Sequence, residues 1–293
     1  MPISFNYPGA LVNEFSVTRQ LFGKEIEIAV RDLDGALVSG IIDDTYNEGM
    51  RLSRIFSVFD ESSELSLLNK NRKASVSREL MYVISKSLGF SKMTRGEYDI
   101  GLGKLIQKRK NMEKEPELHC SYNDIDLRKN VIILKNENVM LDLGSIAKGY
   151  IADKMVECLK RQGVLAGLID ARGDIRVFGQ HSQVIGIQHP RDRKSLIAQF
   201  NLRNSAVATS GDYNQCYGTF EKCHILNKKD AISVTVVAPS LMVADGFATA
   251  LFVSAKKDRE RILAENRAIK TMVIDEDLNL EYHNGFETLV NGR

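Results

Sequence analysis

Residues 140–153 most constrain what this chain can fold into: Met140-Leu141-Asp142-Leu143-Gly144-Ser145-Ile146-Ala147-Lys148-Gly149-Tyr150-Ile151-Ala152-Asp153. The apolar run 139–143 reads as a strand that stops at Gly144-Ser145. Beyond it Ala147, Ile151, Met155 and Cys158 recur at helical spacing, so one helix face is buried. Ser145 is the expected N-cap, its hydroxyl accepting a free backbone N–H of the first turn. Lys148 falls in that first turn, where the macrodipole disfavours a cation. An anion docked at the helix start would account for it, because helix N-termini bind phosphate. A lysine that simply points into water is the alternative. The spacing is neither G-x-x-x-x-G-K-[ST] nor G-x-G-x-x-G, which removes the P-loop and the dinucleotide fingerprint.

The chain has 293 residues, enough for one large domain or two smaller ones. Its 43% hydrophobic and 27% charged residues are those of a soluble globular protein. A net charge of +2 gives no electrostatic footprint for nucleic acid. The basic cluster 104–114 is mixed with Glu113, Glu115 and Glu117, so it reads as a solvated loop, continuing as a mobile segment to residue 121. Cys120, Cys158, Cys216 and Cys223 form no C-x-x-C and have no histidine pair at zinc spacing. Cys216 and Cys223 could pair across a hairpin, with reduced thiols as the default. The first residues show no basic region followed by an apolar run, and no stretch is long and apolar enough to span a bilayer. A cytoplasmic protein without a membrane segment is the expectation.

Alternation over residues 22–30 predicts a half-buried strand. Helices are expected over 36–59, 62–69 and 77–94, the last capped by Ser77. Residues 96–103 hold three glycines and read as a loop able to approach a ligand. Residues 131–134 and 139–141 read as a hairpin. Strands are expected at 167–177 (broken by a glycine turn), 183–188, 196–202, 206–209 and 223–227, with a β-branched central strand at 232–238. A helix follows Pro239-Ser240, then a last helix over 258–264 and a hairpin over 271–282. The order is not a clean βαβ alternation, which argues for an α+β fold with mainly antiparallel sheets flanked by helices. We expect one domain over 1–293, built as two intertwined lobes.

Two pairings carry possible chemistry. Asp245 and Thr249 stand four apart on one predicted helix, so their oxygens share a face. A carboxylate and a hydroxyl suit a hard cation such as Mg²⁺, although a local Asp–Thr hydrogen bond gives the same spacing. His224 is a candidate general base or a structural histidine. No Gly-x-Ser-x-Gly supports a hydrolase triad.

Taken together and in order, these stretches resemble the ApbE family of FAD:protein FMN transferases. Residues 144–153 match G-x-I-A-K-G-Y-x-x-D. Ser63-Glu64-Leu65-Ser66-Leu67-Leu68-Asn69 resembles S-x-L-S-x-x-N, and Tyr98-Asp99-Ile100-Gly101-Leu102-Gly103 resembles F-D-I-T-V-G. Asp170-Ala171-Arg172-Gly173-Asp174-Ile175 resembles D-A-G-G-D-I, with Arg172 in place of the first glycine. Thr209 to Tyr213, His224 to Asn227 and Ala244 to Ala250 complete the set. The family's M-G-T becomes Phe22-Gly23-Lys24, and the proline after its histidine motif is missing.

The resemblance implies an ApbE-like, T-fold-related α+β fold. It implies a Mg²⁺-dependent enzyme that cleaves the pyrophosphate of FAD, its substrate. FMN then passes by a phosphoester bond to a threonine of an acceptor flavoprotein, and AMP is released. Carried over by residue, it implies Ser145, Asp245 and Thr249 as metal ligands and His224 as base. Phe22, Asn69, Tyr98, Asp99, Ile100, Asp142, Lys148 and Ile225 would line the FAD site. A Mg²⁺-dependent FAD pyrophosphatase and a non-catalytic FAD-binding protein are the alternatives.

Overall fold

The computed structural model describes residues 14–31, 35–213, 216–217, 219–223 and 225–290. Two strands open the chain, β1 (Glu14–Leu21) and β2 (Lys24–Arg31), followed by helices α1 (Gly35–Phe56) and α2 (Glu64–Asn71). Next come β3 (Lys73–Ser75), α3 (Arg78–Met93), α4 (Gly103–Lys110), β4 (Ile125–Arg128) and β5 (Val131–Leu134). The helix of the opening motif is α5 (Ala147–Arg161). Strands β6 (Ala166–Asp170), β7 (Ile175–Phe178), β8 (Ser182–His189), β9 (Asp192–Arg203) and β10 (Ala206–Gly211) follow. Strands β11 (Cys216–Tyr217) and β12 (Thr219–Cys223) form a hairpin with Cys216 opposite Cys223. Strand β13 (Ala231–Ala238), helices α6 (Leu241–Phe252) and α7 (Lys256–Glu265), and strands β14 (Lys270–Asp275) and β15 (Leu280–His283) end the fold.

Eight strands form one sheet in the order β1-β2-β6-β7-β10-β13-β14-β15, every neighbouring pair antiparallel. Its residues alternate between two covered faces, as strand geometry requires. Ile26, Ile28, Val30, Val234 and Val236 join the core shared with the helices. Ala29, Leu168, Val177, Ile232 and Met272 face the other way, onto Ile185, Ile187, Phe200 and Leu202 of the β8–β9 hairpin. Covering on both sides explains why every residue of β13 is buried. Strands β3, β5 and β4 make a small separate sheet.

Two helices meet under the site. Both carboxylate oxygens of Asp153 on α5 accept from the first free N–H groups of α6, those of Leu241 and Met242, each at 2.9 Å. Ser240 caps the same helix through Val243 N–H. The approach is close enough that a Cβ on Gly149 would stand 2.5 Å from the Leu241 carbonyl oxygen. The signature's glycine and its final aspartate thus dock α6 against α5.

Some local expectations need correction. Residues 139–143 form no ladder strand; Met140 makes only an isolated parallel bridge to Leu102. Strand β5 instead pairs with β3 and β4. Ser145 does not cap α5: the cap position is Ile146, without a side-chain bond, and the Ser145 hydroxyl bonds Tyr98. Residues 104–110, read as loop, belong to α4, whose last turn carries Lys108, Arg109 and Lys110. Those cations suit a helix C-terminus, and Arg109 forks onto Glu115 at 2.8 and 2.9 Å. Strand β12 ends at Cys223, so 225–227 is not strand. Strand β1 is an addition to the expected elements, its Phe15 and Val17 alternating with Ser16 and Thr18 and packing on the core.

If the Gly149 contact holds α5 and α6 together, Gly149→Ala should destabilise the protein by about 1–3 kcal/mol through overpacking. Urea unfolding would measure it, and an unchanged midpoint would contradict the close approach.

Candidate active site

A cleft of about 2040 Å³ opens between the α5 start, the edges of β6, β7 and β10, the β8–β9 hairpin and the β1–β2 turn. At its floor stands Lys148, in the first turn of α5. Its ammonium bonds the Asp174 carboxylate and lies 3.5 Å from Asp245 Oδ1. The other Asp245 oxygen accepts from Gly149 N–H at 3.3 Å. Asp174 also accepts from Thr209 N–H at 3.2 Å, which ties the β6–β7 turn to β10. Thr249, one turn beyond Asp245 on α6, shares a 3.1 Å hydrogen bond with Ser210 of β10.

Asp245 is 5% exposed on a helix that is otherwise apolar around most of its surface. Such a carboxylate needs a partner, because burying an unpaired charge is costly. Burial pushes its pKa upward; Lys148 opposes that shift and the Asp174 charge adds to it. Burial alone would lower Lys148, but Asp174 and Asp245 outweigh it and hold the ammonium above the ordinary lysine range. Two acidic side chains thus share one ammonium in this buried group.

Residues behind this group position the cleft wall. The buried Tyr98 hydroxyl lies 2.8 Å from Ser145 Oγ, and burial keeps its phenol protonated well above the ordinary range. Asp142 Oδ1 accepts from Gly144 N–H at 2.8 Å, and its other oxygen lies 3.6 Å from Lys110 Nζ of α4. Arg109 on the same helix reaches the Ile225 carbonyl at 3.4 Å.

Of the residues expected at the site, Phe22, Tyr98, Asp99, Ile100, Asp142, Ser145, Lys148, Ile225, Asp245 and Thr249 line this one cleft. The Asp99 carboxylate is occupied by backbone, its oxygens accepting from Gly101 N–H at 2.7 Å and Tyr122 N–H at 2.8 Å. Asn69 is not among the lining residues. Its amide brackets Leu141, accepting from the N–H at 2.7 Å and donating to the carbonyl at 3.0 Å. His224 lies outside the described residues. In the sequence Asp174 and Ser210 are only letters of longer motifs, and the structure puts both beside the expected metal ligands. The D-A-R-G-D-I match is the signal that could have promoted Asp174.

Among the described residues no group of three or more His, Cys, Asp or Glu side chains could hold a metal. Mg²⁺ does not need one, since it takes one or two carboxylates and fills its octahedron with water and substrate phosphate. Asp245 and Thr249 supply hard oxygens one turn apart on α6, with Asp174 across Lys148 from Asp245. The donor chemistry fits the ion.

The sequence profile of the ApbE family matches residues 22–273. This chain belongs to the ApbE family. A relative in Haemophilus influenzae, named FAD:protein FMN transferase, is 26% identical, covering 79% of this chain and 76% of its own. One of the same name in Buchnera aphidicola is 27% identical over 71% of this chain and 70% of its own. The crystal structure of the Thermotoga maritima ApbE protein superposes with a TM-score of 0.86 at 25% identity, over 96% of this chain and all of that one. The Vibrio cholerae flavin transferase ApbE shares the fold, with a TM-score of 0.80 at 22% identity, over 95% and 99%. In the ApbE fold of this chain, the signature helix α5 carries the lysine and α6 carries the paired oxygens.

A pH experiment tests the electrostatics of the β6–β7 corner. Burial lifts the Asp170 carboxyl to about 6 from 3.8, against the lowering effect of Gly173 N–H. A carboxyl raised in the folded state binds more protons there, so its contribution is lost as pH rises from 3.8 through 6. Asp170→Asn should raise the melting temperature at pH 7, by an amount on the order of 2 kcal/mol of stability. At pH 4 it should change little, and equal shifts at both values would contradict the assignment.

Proposed function

We propose that this chain is a Mg²⁺-dependent FAD:protein FMN transferase. It breaks the pyrophosphate of FAD, joins FMN through a phosphoester to a threonine of an acceptor flavoprotein, and releases AMP. One observation carries this reading: Lys148, Asp174, Asp245 and Thr249 converge at the start of α5, inside a cleft, in a member of the ApbE family. The cleft's volume supports it too. Small-molecule pockets run to about 300–1,000 Å³, so about 2040 Å³ leaves room for a dinucleotide and a segment of a second protein.

Asp245 and Thr249 would hold Mg²⁺, with Ser145 at the edge of the same site. Bound there, the ion neutralises charge on the pyrophosphate. Lys148 stands at a helix N-terminus, so it and the free N–H groups of α5 face an arriving phosphate together. The acceptor threonine oxygen attacks the FMN phosphorus, and the bond to the AMP oxygen breaks. The hydroxyl proton passes to a base, for which His224 is the candidate; the negative charge leaves on AMP beside Lys148. Positioning and charge compensation dominate phosphoryl transfer. Water competes with the threonine, so the acceptor must help close the cleft. Phe59, 83% exposed on its rim, offers an apolar contact for that partner.

No described helix is long and apolar enough to cross a membrane. The acceptor is expected to meet this cleft as a protein segment bearing a threonine-containing flavinylation motif.

Intact-mass spectrometry tests the reading. An acceptor domain incubated with the protein, FAD and Mg²⁺ should gain one FMN moiety on a threonine. Asp245→Ala should cut the rate by a factor of about 10²–10³. Free FMN and AMP with an unmodified acceptor would favour the pyrophosphatase, and intact FAD would favour a binding protein. Separately, His224→Gln should slow transfer by about 10²–10⁴ while FAD binding survives. Transfer at the native rate would remove His224 as the base.

A further inference from the structure

The β6–β7 turn puts two successive residues in the left-handed region, Arg172 at φ 69° and Gly173 at φ 92°. The turn is clamped from both sides. Ala171 donates its N–H to the Asp174 carbonyl at 2.8 Å, and Asp170 Oδ1 accepts from Gly173 N–H at 2.6 Å. A two-residue hairpin loop with both φ positive favours Asn, Asp or Gly at its first position. A long side chain is disfavoured there, because Cβ crowds the following carbonyl.

The β1–β2 turn repeats the arrangement, with Phe22 at φ 58° and Gly23 at φ 69°. There the residue has a visible purpose, since the Phe22 ring packs against the core. Arg172 has none of that kind. It is exposed, it joins neither hydrophobic cluster, and no hydrogen bond or ion pair holds its guanidinium among the described residues, although the charge of nearby Asp174 acts on it. It lines the cleft two residues from Asp174, the carboxylate that holds Lys148. Strain retained at a cleft without a packing return points to a ligand.

We propose that Arg172 is a substrate-binding residue of this chain, its guanidinium taking the phosphate oxygens of the dinucleotide beside Lys148. The inference rests on the cleft being an FAD site. A guanidinium fork matches two phosphate oxygens and keeps its charge throughout the ordinary pH range. The clamped turn fixes its backbone at the cleft, so only the side chain is ordered when the substrate binds. Arg172 adds a second cation to the site, where Lys148 is shared between two acidic side chains.

Calorimetric titration of the full chain in Mg²⁺ with FAD, ADP and riboflavin tests it, using wild type, Arg172→Gly, Arg172→Gln and Arg172→Lys. Loss of the fork in the Gly and Gln variants should weaken FAD and ADP about tenfold or more. Riboflavin, which has no phosphate, should bind all four proteins alike. Arg172→Lys should fall between, keeping charge without the fork. The ligand-free Arg172→Gly variant should melt at or above the wild-type temperature, because glycine relieves the turn. Unchanged FAD and ADP affinities would overturn the proposal. So would parallel weakening of FAD and riboflavin, which would mean ring stacking, or a lower melting temperature for Arg172→Gly, which would mean a structural role. Wild-type protein that bound FAD while the variants bound it equally would overturn this inference alone. Wild type that bound neither FAD nor ADP would overturn the reading of the cleft as well.

Discussion

A single ammonium divided between two carboxylates sets the terms for this structure. Lys148 bonds Asp174 and lies 3.5 Å from Asp245, and the three groups come from α5, the β6–β7 turn and α6. A buried pair survives only when geometry and further hydrogen bonds compensate its lost hydration. Here the compensation comes from backbone: Gly149 N–H for Asp245 and Thr209 N–H for Asp174. Three separate parts of the chain must therefore be in register before the charges are tolerable. Two acidic side chains then stand on either side of one ammonium in the buried group. Such an arrangement suits a divalent cation. On the proposed reading, Asp245 and Thr249 would hold that cation, and it would supply positive charge for a pyrophosphate lying beside Lys148.

The fold serves that arrangement through the contact of two helix starts. Asp153 takes the first N–H groups of α6, and Gly149 lets the two backbones meet. Asp245 is then carried into the interior on a helix that the large sheet covers. The sheet's other face is sealed by the β8–β9 hairpin, whose outer residues Val184 and Leu196 border the cleft. The letters of one short motif thus divide into separate jobs. Lys148 faces the cleft, Gly149 permits the approach, Tyr150 packs in the core and Asp153 caps the neighbouring helix.

Much of this was legible in the sequence because it is local. Apolar periodicity announces α1, α3 and α5, β-branched residues announce β13, and the four-residue spacing of Asp245 and Thr249 puts two oxygens on one face. What stayed hidden depends on partners far along the chain. The family resemblance implies Asn69 as a cofactor residue, and the structure adds that its amide is engaged by the backbone of Leu141, 72 residues away. Ser145 reads as a cap, but Tyr98 competes for its hydroxyl across 47 residues. Residues 139–143 look like a strand from their apolar content, but tertiary neighbours decide whether a ladder forms, and none does. Charge content likewise hid α4, because a helix with a basic last turn and few buried residues resembles a solvated loop.

The most direct test of the central claim is FAD affinity with and without the divalent ion. Flavin fluorescence would follow titration of the native protein, once in Mg²⁺ and once in EDTA, with riboflavin as the phosphate-free control. If a divalent cation held by Asp245 and Thr249 supplies much of the positive charge that meets the pyrophosphate, FAD should bind at least about tenfold more weakly in EDTA. Riboflavin should be indifferent to the ion. Equal FAD affinity in both buffers would contradict the account, because the pyrophosphate would then be held without help from the cation assigned to Asp245 and Thr249.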